Sequence, residues 1–221
     1  MSAIVIVDYG SGNVRSMQNA LAHVAGPDAV RLTRNPDEIA NAARLVVPGV
    51  GAFGACMQKL HDSGVVGPLK AAVARGAPVL GVCVGMQVLA DVGEEFGTHA
   101  GLGFIPGVVR RLAPLGEQKL PHMGFAPLTT TARWPFAEAP GSLYFVHSYA
   151  FLPRDPQDSA ASADYGGPFV AAVRRANVLG VQFHPEKSAT AGLRFLRAFC
   201  AWQPAAAETR SASQPFRNHG E

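Results

Sequence analysis

The stretch Pro78-Val79-Leu80-Gly81-Val82-Cys83-Val84-Gly85-Met86-Gln87 decides the fold, because an apolar strand-like run passes through a glycine-flanked cysteine straight into a helix-like segment. A sharp strand-to-helix turn leaves no room for side chains beside its central residue, and Gly81 and Gly85 supply that room. The thiol of Cys83 is thereby pushed out of the turn, in the layout of a nucleophile elbow. Far downstream, Val178-Leu179-Gly180-Val181-Gln182-Phe183 runs into His184-Pro185-Glu186, an imidazole and a carboxylate two residues apart. In extended chain, residues i and i+2 project to the same side, and Pro185 biases His184 toward that conformation. Glu186 is therefore expected to reach the His184 ring, giving nucleophile, base and orienting acid.

Working outward, short apolar runs alternate with amphipathic segments, the pattern of parallel strands joined by helices. Strands are expected at Ala3 to Val7, Ala29 to Leu32, Leu45 to Pro48, Pro78 to Val82, Leu143 to His147, Pro168 to Val173 and Val178 to Phe183. Helical spacing recurs in Val14, Met17, Leu21 and Val24, in Phe53, Met57 and Leu60, and in Leu193, Leu196 and Phe199. The stretch from Gly103 to Leu152, broken by prolines, is expected to hold short antiparallel pieces. The fold class is α/β, a mostly parallel central sheet flanked by helices. Residues 1–202 read as one domain and 203–221 as a tail with little to bury.

Composition narrows the function classes. A chain of 221 residues, 48% hydrophobic and 16% charged, is long enough for one sizeable core. The formal net charge of +3 is small and its cations are scattered, which does not point to nucleic acid. Arg110-Arg111 and Arg174-Arg175 are read as solvated faces. Three cysteines without a CxxC pair argue against a disulfide framework and a zinc site, so a reducing cytoplasm is the expected home and no metal or cofactor is expected. The start Met1-Ser2-Ala3-Ile4-Val5 has no cationic region ahead of its apolar run and reads as a first strand rather than a signal peptide. Cys56 and Cys200, on helical stretches without polar companions, read as core residues.

Placed on this framework, Asp8-Tyr9-Gly10-Ser11-Gly12-Asn13, Pro48-Gly49-Val50-Gly51, Cys83 and His184 each follow an expected strand, and open parallel sheets gather their sites at the carboxyl ends of strands. A thiolate attacking an amide makes a tetrahedral oxyanion that needs preorganised N–H donors. The Val84 amide can supply one, and the Val50-Gly51 region another. A free cysteine has a pKa near ~8.5, and an adjacent imidazole lowers it by units; His184 is the candidate for that imidazole and for returning the proton to the leaving amine.

These residues resemble a known family. Gly81 to Gln87 and Gln182 to Ser188 resemble the motifs of class I (triad) glutamine amidotransferases. Asp8 to Ser16, Pro48 to Phe53, Gly101 to Gly107, Pro121-His122-Met123-Gly124 and Tyr144 to Tyr149 narrow the likeness to the glutaminase subunits of imidazole glycerol phosphate synthase, over about Ile4 to Trp202. The resemblance implies a flavodoxin-like glutaminase domain with Cys83, His184 and Glu186 as its triad. It also implies that Gly49, Gln87, His147, Ser148 and Tyr149 bind glutamine, and that Pro121, His122, Met123 and Phe125 face a cyclase subunit folded as a (β/α)8 barrel that receives ammonia. Two departures stand out: Phe125-Ala126 replaces the usual Trp-Asn, and Ala189 replaces the usual Gln after Lys187-Ser188. The alternatives are an amidotransferase subunit of another synthase, or a noncatalytic flavodoxin-like module or thiol sensor. An esterase-type hydrolase is disfavoured, since there the acid precedes the histidine at a distance.

Overall fold

Apolar runs with no polar alternation make strands that are buried on both faces. The computed structural model, which describes residues 4–10, 13–138 and 141–204, sets four runs buried along their whole length side by side, with a half-exposed strand beside them at the sheet edge. In chain order the strands are β1 (Ile4–Val7), β2 (Val30–Thr33), β3 (Arg44–Gly49), β4 (Val79–Cys83), β5 (Val92–Gly93), β6 (His99–Ala100) and β7 (Gly107–Arg111), then β8 (His122–Pro127), β9 (Thr129–Thr130), β10 (Ser142–His147), β11 (Tyr149–Pro153), β12 (Ser159–Asp164), β13 (Pro168–Arg175) and β14 (Val178–Val181). The helices are α1 (Val14–Ala25), α2 (Pro36–Ala40), α3 (Phe53–Asp62), α4 (Val66–Ala74), α5 (Val84–Gln87) and α6 (Ala189–Ala201).

The main sheet runs β2-β1-β3-β4-β14-β13-β12-β9, parallel from β2 through β14. Its first five strands follow the flavodoxin-like order, whose direction of winding reverses between β1 and β3. The connection from β1 to β2 runs toward one edge and that from β3 to β4 toward the other, so right-handed crossovers put α1 and α4 on opposite faces. Accordingly α1 packs with α6, and α2 with α4. The helical spacings are met by burial of Met17 and Leu21 in α1, of Phe53, Met57 and Leu60 in α3, and of Leu196 and Phe199 in α6, with Phe195 beside them. Among the described residues no helix is long and apolar enough to cross a membrane.

All seven expected strands form, but two do not join the parallel array. Pro168 to Val173 belongs to β13, which runs antiparallel to β14 because residues 176–177 join the two in a tight turn. Leu143 to His147 lies in β10, which pairs only with β8, outside the main sheet and with alternating burial. The expected antiparallel pieces within Gly103 to Leu152 include β7, β8 and β10, and β11 continues past them to pair antiparallel with β7. β12 has no strand signal in its sequence, since Ser-Ala-Ala-Ser-Ala-Asp carries no β-branched or aromatic residue. Arg174, expected on a solvated face, lies over the Trp202 ring with 5.5 Å to its centroid. The expected tail lies outside the described residues from 205 onward.

Candidate active site

At the end of β4 the backbone of Cys83 takes φ 56 and ψ −115, a conformation that side chains rarely adopt, and α5 begins at the next residue. Close packing enforces the turn. A Cβ on Gly81 would stand 2.4 Å from the Gly85 carbonyl oxygen, and one on Gly85 only 1.9 Å from that of Val47 in β3. The elbow is thus wedged against the neighbouring strand, and Cys83, itself buried, lines a pocket at the strand end.

His184, the expected base, follows β14. The chain leaves the sheet after Val181, and the His184 amide donates to the Tyr144 carbonyl of β10 at 2.8 Å. His184 Nδ1 lies 2.8 Å from Glu186 Oε1, with both side chains 3% exposed. The same carboxylate oxygen accepts from Asn13 Nδ2 at 2.8 Å, so the loop after β1 braces the acid. Asn13 has φ 66, a left-handed conformation that asparagine tolerates. Burial alone would push the His184 imidazole down, but contacts with Cys83 and Glu186 outweigh it and raise the pKa to about 9. Its Nε2 is buried with no hydrogen-bond partner among the described residues.

These groups share one pocket of about 300 Å3, lined by Cys83, Val84, Gln87 and His184, by Val50 and Gly51, and by His147, Ser148 and Tyr149. Glu95, Pro121, Val146 and Lys187 complete the lining. Gly51 has φ 86, which gives the loop after β3 its bend. The Gln87 amide nitrogen donates to the Tyr149 carbonyl at 3.1 Å and to Gln182 Oε1 at 3.0 Å, leaving Gln87 Oε1 as its open acceptor. His147 is pushed down to about 4, chiefly by burial, with its Nδ1 at 2.8 Å from the Tyr149 carbonyl.

Several expectations need correction. Gly49 lies behind that pocket, lining a small adjoining cavity with Val50, His184 and Glu186; it pairs with Cys83 across β3 and β4, and a Cβ there would stand 2.2 Å from the Gly85 nitrogen. His122 is not a partner-facing residue, because its side chain is 3% exposed and stacks between Phe145 and Tyr165. Its strand alternates, so Met123 and Phe125 are the ones turned outward, at 62% and 59% exposure. Cys56 does have a polar companion, the Tyr9 hydroxyl at 3.2 Å, which also hydrogen-bonds the Pro48 carbonyl. Burial pushes the Cys56 thiol up to about 11, in keeping with a core residue.

Some residues carried no assigned role. Asn13 stood in the glycine-rich loop after β1, and Gln182 was a polar interruption in an apolar strand, a signal that could have been read. Glu95, whose carboxylate accepts the first amide of α3 at 2.8 Å, gave no sign in the sequence.

A strained cysteine after a parallel strand, a His-Glu pair presented from the neighbouring strand and a shared pocket define a class, and the chain belongs to the class-I glutamine amidotransferase family, which matches residues 5–201. Solved structures give the same fold: a glutamine amidotransferase at 21% identity has TM-score 0.67 over 89% of this chain and 98% of its own. A glutamine amidotransferase from Thermotoga maritima at 14% identity has TM-score 0.59 over 90% of this chain and 83% of its own. Within the family, the chain is 49% identical over 208 residues to the imidazole glycerol phosphate synthase subunit HisH of Zymomonas mobilis, covering 92% of this chain and 97% of that one. It is 45% identical to the protein of the same name from Rhodospirillum rubrum, covering 91% and 99%.

Proposed function

We propose that this chain is the glutaminase subunit of an imidazole glycerol phosphate synthase, hydrolysing glutamine to glutamate and ammonia and passing the ammonia to a cyclase subunit in histidine biosynthesis. The observation that carries the chemistry is the strained Cys83 sharing one pocket with His184, whose ring is paired with Glu186. Cys83 attacks the side-chain amide carbon of glutamine, and His184 delivers a proton to the leaving nitrogen. Glu186, held by Asn13, fixes the imidazole tautomer. The oxyanion is received by the Val84 amide and by an amide of the Val50-Gly51 turn, and one such donor is worth about 2.7–4 kcal/mol in the transition state. Water activated by His184 then cleaves the thioester.

The pocket suits an α-amino acid. Glu95 and Lys187 bring opposite charges to its wall, complementary to an ammonium and a carboxylate, and Gln87 Oε1 is open to accept a hydrogen bond. His147 serves as a wall, since both its ring nitrogens are already engaged; Ser148 and Tyr149 follow it along the same rim. The partner in this reading is a (β/α)8 barrel cyclase. Met123 and Phe125 offer it an exposed apolar contact on the strand that follows Pro121 at the pocket edge. Measuring glutamate release from glutamine, with and without the cyclase and its nucleotide substrate, tests the proposal. Release that is weak alone, rises with both and vanishes in Cys83→Ala is expected. Release unchanged by Cys83→Ala, or stimulated only by a different synthase, would overturn it.

A further inference from the structure

An unbroken file of buried polar groups runs from β8 to the nucleophile. His122 Nδ1 lies 3.2 Å from His147 Nε2, and His147 Nδ1 lies 2.8 Å from the Tyr149 carbonyl oxygen. The Gln87 amide nitrogen lies 3.1 Å from that same oxygen and 3.0 Å from Gln182 Oε1. Finally, the Gln182 amide nitrogen lies 3.8 Å from Cys83 Sγ. All four side chains in the file are buried, where polar groups are nearly always hydrogen-bonded.

Elementary valence sets the direction of every link. A carbonyl oxygen only accepts, so His147 carries its proton on Nδ1 and Gln87 presents its NH2 group to Tyr149. A neutral imidazole protonated on Nδ1 has a bare Nε2, so the donor between the two histidines is His122 Nδ1–H. The second Gln87 hydrogen points at Gln182, which therefore turns its oxygen toward Gln87 and its NH2 toward the sulfur. A flipped Gln182 would oppose two NH2 groups and aim an oxygen lone pair at Cys83.

We propose that Gln182 is a positioning residue for the nucleophile, donating its amide to Cys83 Sγ, and that the file beginning at His122 holds it in the donating orientation. This rests on Cys83 being the glutaminase nucleophile. The sulfur must sit correctly toward His184 on one side and the Val84 amide on the other, and a misplacement of about 1 Å can cost ~100-fold in rate. A directed N–H restrains it from the third side. The file also ties the pocket to the strand carrying Met123 and Phe125, so a partner pressing on β8 acts on a segment hydrogen-bonded to the nucleophile's own support.

The experiment measures glutamate release by the complex of full chain and cyclase in Gln182→Met, His122→Leu and His122→Gln. Methionine keeps the volume and lacks the N–H, so kcat falls at least about tenfold while KM for glutamine stays within about twofold. His122→Leu lowers kcat at least about threefold, and His122→Gln, which again donates to His147, recovers to within about twofold of the parent. An unchanged kcat or a loss confined to KM in Gln182→Met overturns the proposal, as does a His122→Gln no better than His122→Leu. If Gln182→Met fails to fold, the His122 pair decides. If the parent itself releases no glutamate, the functional reading falls instead, and 15N spectra of histidine-labelled chain decide the file. Protonation of His147 on Nδ1, with Nε2 accepting, upholds the donor order; protonation on Nε2 overturns it.

Discussion

Adding one methyl group in Gly85→Ala should damage both stability and turnover. The new Cβ would stand 1.9 Å from the Val47 carbonyl oxygen, where ordinary contact begins at 3.4 Å. The obstructing atom is backbone of a central strand, so no side chain can swing aside. Either α5 lifts from the sheet or β3 moves away from β4, and Gly49, which pairs with Cys83 across that boundary, moves with it. Overpacking of this kind costs about 1–3 kcal/mol or more, which for a chain of this size lowers Tm by about 3–10 °C. The displaced strand leads directly into Val50 and Gly51, so turnover should drop ~100-fold. Gly67→Ala is the control: it lies in α4, nothing lies within 4 Å of its added Cβ, and it should be neutral or stabilising by about 0.5–1 kcal/mol. Calorimetry and a glutamate-release assay read both effects. A Gly85→Ala protein with Tm within about 1–2 °C of the parent and turnover within about threefold would refute the claim that the elbow is wedged against β3.

Phe125→Asp, on an exposed position, should leave stability within about 0.5 kcal/mol and weaken cyclase binding at least about tenfold, read by titration calorimetry. Asn13→Gly keeps the left-handed backbone but removes the amide that braces Glu186, so kcat should fall about 3–10-fold with little change in KM. The pKa of His184, raised to about 9 from 6.5, contributes stability that is full below pH 6.5 and is lost as pH rises through 9. Thermal melts across that range should show the loss in the parent and a flatter profile in Glu186→Gln. His147, depressed to about 4 from 6.5, behaves oppositely: its contribution is present above pH 6.5 and is lost as pH falls toward 4. His147→Asn should flatten the acid limb of the same melting profile.

Much of the fold was legible because the strands of a parallel sheet are apolar throughout, and Ile4–Val7 and Val178–Val181 have no other reading that suits their length. The elbow was legible for a local reason, two glycines at fixed distance from one cysteine. The direction of β13 was not, since an apolar strand looks the same in either sense and only the short turn before β14 decides it. The inward side chain of His122 was hidden for a related reason: alternation tells which residues share a face but not which face meets the core. Glu95 escaped altogether, because its place at the pocket depends on how the segment after α5 folds back over α3, a tertiary fact with no periodic signature.

The clasp between Asn13 and Glu186 joins residues 173 positions apart in sequence. While the chain is being made, Cys83 emerges roughly a hundred residues before its base, about 5–20 s at usual rates of synthesis. Through that interval the sulfur has neither the imidazole nor the acid that the proposed mechanism requires. On the proposed mechanism, competence thus arrives with the last strand of the parallel array, and an unfinished or misassembled copy lacks it.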